Sequence, residues 1–291
     1  MNWNMSSNGT VAAFRPNTNK PQETAIVVPC YNEAERLNQE EFLTFLDHAD
    51  NTIMVFVNDG SKDATLDVLR QMQAQLPSKI TVVDLPKNAG KAEAVRQGLK
   101  VATDLGASFV GYWDADLATP LDAIQDFSGV LRKFPETQVV YGARRMMLGH
   151  RIERTLGRRM VSRTCAMLAR QAVRLPIGDT QCGAKLMRNT PLLRNAISKP
   201  FTAGWLFDVE LLTRLSAQMV DKRFAFYEQP LAEWTEIPGS KVSSSAIVKS
   251  GVRMLQLIAE ARLGVSLTAQ TVAAAEAHVL APFEADVRKE A

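Results

Sequence analysis

Short unbroken apolar runs alternate with stretches of helical periodicity through the first half of the chain. Ala25-Ile26-Val27-Val28, Ile53-Met54-Val55-Phe56-Val57, Ile80-Thr81-Val82-Val83, Phe109 to Trp113 and Val139-Val140-Tyr141 read as five strands. Helical patterns run from Leu37 to His48, from a cap at Asp63 to about Gln75, from Lys91 to Asp104, and from Pro120 to about Phe134. Strands this continuously apolar are buried on both faces. They predict an α/β fold with a mostly parallel central sheet flanked by helices. The rhythm is lost after residue 143. A basic segment over 144–175 precedes a loop from Ile177 to Gly183, a helix around Phe207 to Gln218 and a strand from Arg223 to Tyr227. An amphipathic helix over 243–263 closes the pattern. The expected organisation is a loose tail over 1–22, one α/β domain over 23–265, and a second tail over 266–291.

Polar residues gather where the strands end. The fourth strand stops at Asp114-Ala115-Asp116, two carboxylates two positions apart. Alone, such a pair reads as a turn that caps the next helix. Pro29-Cys30-Tyr31-Asn32-Glu33, Asn58-Asp59-Gly60-Ser61 and Asn88-Ala89-Gly90-Lys91 follow the first three strands, and each alone also reads as an ordinary turn. In a parallel sheet all four loops converge on one edge, where ligands bind in open α/β folds. Two carboxylates at that edge call for a positive partner. A divalent cation shared with a diphosphate suits them, because hard cations take oxygen ligands and bridge carboxylates to phosphates.

Composition narrows the class. The chain has 291 residues, 46% hydrophobic and 22% charged, enough for one sizeable core. A net charge of +3 argues against a dedicated nucleic-acid binder. Cys30, Cys165 and Cys182 lack pairing or metal-ligand spacing and read as reduced thiols of a cytosolic protein. No signal-like start and no apolar run of about 18 residues stands out. The basic segment carries nine arginines, among them Arg144, Arg145, Arg151, Arg154 and Arg158, against the single acid Glu153, with apolar residues interleaved. That pattern reads as a membrane-surface or partner-binding helix. Stacking aromatics, which nucleic acid would favour, are absent from it.

Seven motifs together resemble the family-2 glycosyltransferases of the GT-A (nucleotide-diphospho-sugar transferase) fold. They are Ile26 to Glu33, Val57 to Ser61, Asp114-Ala115-Asp116, Tyr141 to Arg144, Asp179 to Lys185, Trp205 to Glu210 and Trp234 to Lys241. Within that family the later motifs are most similar to polyprenyl-phosphate glycosyltransferases of the dolichyl-phosphate β-glucosyltransferase type. The resemblance covers about residues 24 to 262. It implies that Pro29, Tyr31, Glu33 and Asp59 surround a nucleoside, that Asp114 and Asp116 hold Mg²⁺ or Mn²⁺ on the diphosphate, and that Lys91, Ser240 and Lys241 meet donor phosphates. It further implies an acceptor phosphate on Arg144, with Arg145, Arg151 and Arg158 toward the acceptor and membrane, and Asp179 and Gln181 near the reacting centre beside Asp116. The chain departs from the family's pattern at Asn58 (often Asp), Ala92 (commonly Gly) and Ala118 (often Gln).

The expected activity is inverting transfer of a hexose, glucose from UDP-glucose, onto a polyprenyl phosphate, by a peripheral protein on the cytoplasmic membrane face. A membrane-anchoring partner or a homo-oligomer fits the same reading. The alternatives are transfer from GDP-mannose or a UDP-N-acetylhexosamine, a saccharide hydroxyl as acceptor, or a non-catalytic nucleotide-sugar binder. A retaining route stays open at this level.

Overall fold

The computed structural model describes residues 23–145, 147–149, 151–153, 170–235, 251–253, 255–256 and 258–259. Its strands are β1 (Thr24–Cys30), β2 (Thr52–Asn58), β3 (Ile80–Asp84), β4 (Phe109–Trp113), β5 (Val139–Ala143), β6 (Arg151–Glu153), β7 (Ala184–Arg188), β8 (Phe226–Pro230) and β9 (Glu233–Thr235). Its helices are α1 (Gln39–His48), α2 (Thr65–Gln75), α3 (Lys91–Asp104), α4 (Ala123–Lys133), α5 (Pro191–Ala196) and α6 (Phe207–Ala217). Seven strands form one sheet in the order β3-β2-β1-β4-β7-β5-β8, and β6 pairs with β9 in a separate two-stranded sheet. Every pairing in the large sheet is parallel except the two that β7 makes.

Side-chain alternation explains why the strands are apolar throughout. Along β1, Ala25 and Val27 face one core while Ile26, Val28 and Cys30 face the other. Along β2, Ile53, Val55 and Val57 join the first core, and Met54 and Phe56 the second. Helices α3 and α6 cover the first face, and α1, α2 and α4 the second. A strand buried on both sides cannot show the polar alternation of a half-exposed one.

The strand order reverses beside β1. Strands β2 and β3 lie to one side of it and β4 to the other, so the loops after β1 and β4 flank a topological switch point. Strand β7 runs against its neighbours, with Trp113 opposite Ala184. The loop before β7 therefore arrives at the same edge as the loop after β4. The sequence pattern passes over β7, because Lys185 breaks an otherwise apolar run; that lysine is fully buried. Two boundaries also shift. The helix expected from Pro120 begins at Ala123, after a turn in which the Ala123 amide donates to the Pro120 carbonyl at 3.3 Å. The strand expected over Arg223 to Tyr227 is β8, whose register places Phe226 opposite Val139. Most of the basic segment, with Arg154 and Arg158, lies outside the described residues, as do Ser240, Lys241 and both tails. Among the described residues no helix is long and apolar enough to cross a membrane.

Gly111 shows how closely β4 and β7 pack. A Cβ there would lie 2.0 Å from the Lys185 carbonyl oxygen, and backbone cannot yield as a flexible side chain can. Gly111→Ala is expected to destabilise the fold by about 3 kcal/mol, the upper end for overpacking. Urea denaturation followed by tryptophan fluorescence measures it.

Candidate active site

The loops after β1, β2, β3 and β4 and the loop before β7 meet at one edge of the sheet, and hydrogen bonds tie them together. The Ser61 hydroxyl accepts from the Asn32 amide at 3.0 Å, and the Asn32 side chain accepts from the Lys62 amide at 2.8 Å. The Thr65 hydroxyl accepts from the Glu33 amide at 2.8 Å. Asp63, expected to cap α2, stands one residue before the N-cap Ala64 and accepts from the Thr65 amide at 3.0 Å. Asn32 sits in the left-handed region at φ 51°, which asparagine tolerates. These contacts fix the segment Pro29 to Glu33 against the β2–α2 loop. Asn58, the first departure from the family pattern, donates to Asp84 at 2.8 Å and accepts from the Ser61 amide at 3.3 Å.

Asp59 faces inward at this edge. It is 2% exposed, and its two oxygens accept from the amides of Ala89 and Gly90 at 2.7 and 2.9 Å. Burial raises its pKa; those two amide bonds pull the other way and leave a net upward shift. Asp59 therefore anchors the start of α3. Gly90 takes φ 88°, so the special backbone conformation of this turn falls there, and Ala92 lies within regular helix.

The anchored turn delivers Lys91 to the carboxylates. Its ammonium lies 2.5 Å from Oδ1 of Asp114. Burial opposes the charge on Lys91, but Asp114, Asp208 and Asp116 outweigh it and hold its pKa above the ordinary lysine value. Burial first, and then the charge of Asp114, push the pKa of Asp116 upward. Asp116 also accepts from the Ala118 amide at 3.1 Å, which closes the turn after β4. Leu117 within that turn has φ 56°. Gly183 sits directly against Asp114: a Cβ there would lie 2.0 Å from Oδ2. Any other residue would push the carboxylate out of place. No role for Gly183 follows from sequence spacing, because the contact joins loops far apart in the chain.

At the same edge, Arg144 and Asp179 form a bidentate pair. Nε donates to Oδ2 at 2.7 Å and Nη2 to Oδ1 at 2.8 Å, with the Arg144 amide adding 3.2 Å to Oδ2. The side chains are 12% and 9% exposed. The guanidinium also lies over the Trp234 ring, 5.0 Å from its centroid. Burial works against its charge, yet Asp179 more than compensates and raises its pKa. Glu228 on β8 supports the pair from below, accepting from the amides of Gly178 and Asp179 at 2.9 Å each while also bridging Arg145. Nothing in the sequence around Glu228 marks it for this role. The Gln181 amide donates to Asp179 at 3.3 Å, and its Nε2 is buried without a hydrogen-bond partner. Arg145 and Arg151 stand exposed on the rim.

The structure thus brings Pro29, Tyr31, Glu33, Asp59, Lys91, Asp114, Asp116, Arg144, Asp179 and Gln181 to one edge. Among the described residues no cluster of three or more His, Cys, Asp or Glu could cage a metal alone. A pair of carboxylates with one raised pKa suits a cation that completes its coordination from phosphate oxygens and water.

Comparison with known proteins agrees with this geometry. The family model for glycosyl transferase family 2 matches residues 25–194. The human dolichyl-phosphate β-glucosyltransferase is 32% identical over 250 residues, which cover 76% of this chain and 70% of that protein. One from Trichomonas vaginalis is 29% identical over 263 residues, covering 86% and 75%. The fold is similar to that of glucosyl-3-phosphoglycerate synthase from Mycobacterium tuberculosis, solved with Mn²⁺, UDP and glucosyl-3-phosphoglycerate. That match has a TM-score of 0.55 at 18% identity, over 84% of this chain and 81% of the other.

The Arg144–Asp179 pair is expected to carry fold stability as well as site geometry. Arg144→Ala removes a bidentate, stacked partner from a buried carboxylate and should cost about 3 kcal/mol. Arg144→Lys keeps the charge but loses the fork and recovers only part of that. Paired urea titrations of the two variants provide the comparison.

Proposed function

The chain belongs to glycosyl transferase family 2, and from that premise we propose that it moves glucose from UDP-glucose to the phosphate of a polyprenyl phosphate at a membrane surface. The observation that carries the reading is the juxtaposition of the Asp114, Asp116 and Lys91 cluster with the Arg144–Asp179 pair, close enough that the charge of Asp114 acts on Arg144. One group suits a diphosphate that leaves; the other lies toward the acceptor.

In this reading Asp114 and Asp116 hold Mg²⁺ or Mn²⁺. When bound, the cation neutralises the charge that grows on the leaving diphosphate. Lys91, fixed by the Asp59 turn, supplies a second positive charge to the same phosphates. Pro29, Tyr31 and Glu33 line the nucleoside side; Ser240 and Lys241, to which the family resemblance gives donor phosphates, lie outside the described residues. The acceptor needs little help to become a nucleophile. A phosphate monoester has a second pKa of about 6 and is largely dianionic at neutral pH. Asp179 has both oxygens engaged by Arg144, which supports an orienting role over that of a base or a nucleophile. A single displacement with inversion follows. The acceptor phosphate meets the Nη1 edge of Arg144, with Arg145 and Arg151 relieving anion repulsion along the approach.

The rim supports a membrane-bound acceptor on the cytoplasmic face. Leu148 is fully exposed and Met147 half exposed, between Arg145 and Arg151. Apolar tips flanked by arginines suit an anionic leaflet, where each basic residue adds roughly 1 kcal/mol.

Two experiments test the reading. Purified protein with Mn²⁺ or Mg²⁺, labelled UDP-glucose and a polyprenyl phosphate should carry label into organic solvent, and Asp116→Ala should lower that rate at least about 100-fold. Label that remains in water-soluble saccharide, or an unaffected variant, would overturn it; a panel of other nucleotide sugars in the same assay fixes the donor. Separately, Met147→Asp/Leu148→Asp should weaken co-sedimentation with phosphatidylserine-containing vesicles about tenfold, the effect of one lost buried leucine. UDP affinity should stay unchanged.

A further inference from the structure

Two of the sequence motifs, Asp179 to Lys185 and Trp205 to Glu210, contain charged residues that the mechanism leaves without a task. Lys185 is fully buried on β7, and Asp208 is 6% exposed in the first turn of α6. They meet at 2.5 Å. Tyr112, directly opposite Lys185 across the β4–β7 pairing, donates its hydroxyl hydrogen to the same Asp208 oxygen. The ammonium also lies 5.2 Å from the Tyr112 ring centroid.

The third contact of Lys185 links this trio to the site. Its ammonium donates to the Cys182 carbonyl at 2.7 Å. That bond curls the chain just before β7 and fixes the backbone of Gly183, the surface on which the Asp114 carboxylate rests. Tyr112 acts on the other strand, two residues before Asp114. Both walls of the carboxylate's seat are thus tied to one buried aspartate.

We propose that Lys185, Asp208 and Tyr112 are positioning residues that hold Asp114 and Gly183 in the geometry a divalent cation and diphosphate require. The inference rests on the metal–diphosphate reading given above. A buried ion pair is a poor source of net stability, because removing two charges from water offsets their attraction. An apolar trio of similar volume would hold the fold about as well. It could not fix the Cys182 carbonyl. Partners of this outer kind are typically worth 10- to 100-fold in metal affinity.

The test measures Mn²⁺ affinity by electron paramagnetic resonance of free Mn²⁺, in the presence of UDP and without turnover. Tyr112→Phe/Lys185→Met/Asp208→Leu is expected to unfold near the wild-type midpoint and to bind Mn²⁺ about 10- to 100-fold more weakly. Tyr112→Phe alone removes one hydrogen bond and should weaken Mn²⁺ about three- to tenfold; it decides the matter if the triple variant does not fold. Wild-type Mn²⁺ affinity in the folded variants overturns the proposal and leaves the metal site standing. A wild-type protein that binds no Mn²⁺ with UDP overturns the metal–diphosphate reading itself, and this inference with it.

Discussion

Asp114 and Asp116 leave β4 two residues apart, and the carboxylate of Asp114 lies against the bare Cα of Gly183. That contact constrains the rest of the site. At the end of this buried strand, burial first and then the charge of Asp114 raise the pKa of Asp116. Lys91, brought in by a turn that Asp59 anchors, offsets this directly, and Arg36 acts on Asp116 in the same sense. At Gly183 the same edge carries a packing rule that only glycine satisfies.

The Arg144–Asp179 pair answers a different demand. A free arginine at this depth would be poorly solvated, and a free aspartate would repel an incoming phosphate. Pairing the two with a fork, stacking the guanidinium on Trp234 and bonding the preceding amides to Glu228 leaves a fixed, nearly neutral unit. Resemblance to the family implies a phosphate contact for Arg144. The geometry shows a structural engagement with Asp179, which takes Nε and Nη2 of the fork.

Much of the sheet was legible because its strands are buried on both faces. Unbroken apolar runs located β1 to β5, and the polar ends of the first four located the active edge. Helix α3 matched its expected bounds from Lys91 to Asp104, since Gly90 starts it sharply. What escaped was set by long-range contacts. Strand β7 was hidden by a buried lysine whose partner, Asp208, is 23 residues away. Glu228 looks like any exposed-strand glutamate until the loop at Gly178 folds onto it. Local pattern reports which residues want burial; it does not report which distant carbonyl or carboxylate makes the burial of a charge tolerable.

The acceptor's own chemistry accounts for what the site lacks as well as what it holds. A hydroxyl acceptor would need a carboxylate poised to take its proton, with an oxygen left open. Asp179, the carboxylate beside the proposed acceptor path, has its oxygens turned into the fork of Arg144, whose raised pKa keeps it charged. A phosphate dianion arrives already nucleophilic, and its difficulty is repulsion from a donor diphosphate. In the proposed reaction, Lys91 beside Asp114 and Asp116, and the arginines Arg144, Arg145 and Arg151, would relieve that repulsion from the two sides of the sugar. On the proposed reading, the demand of two phosphates on one sugar gives Lys91 and Arg144 separate tasks, one toward the donor and one toward the acceptor.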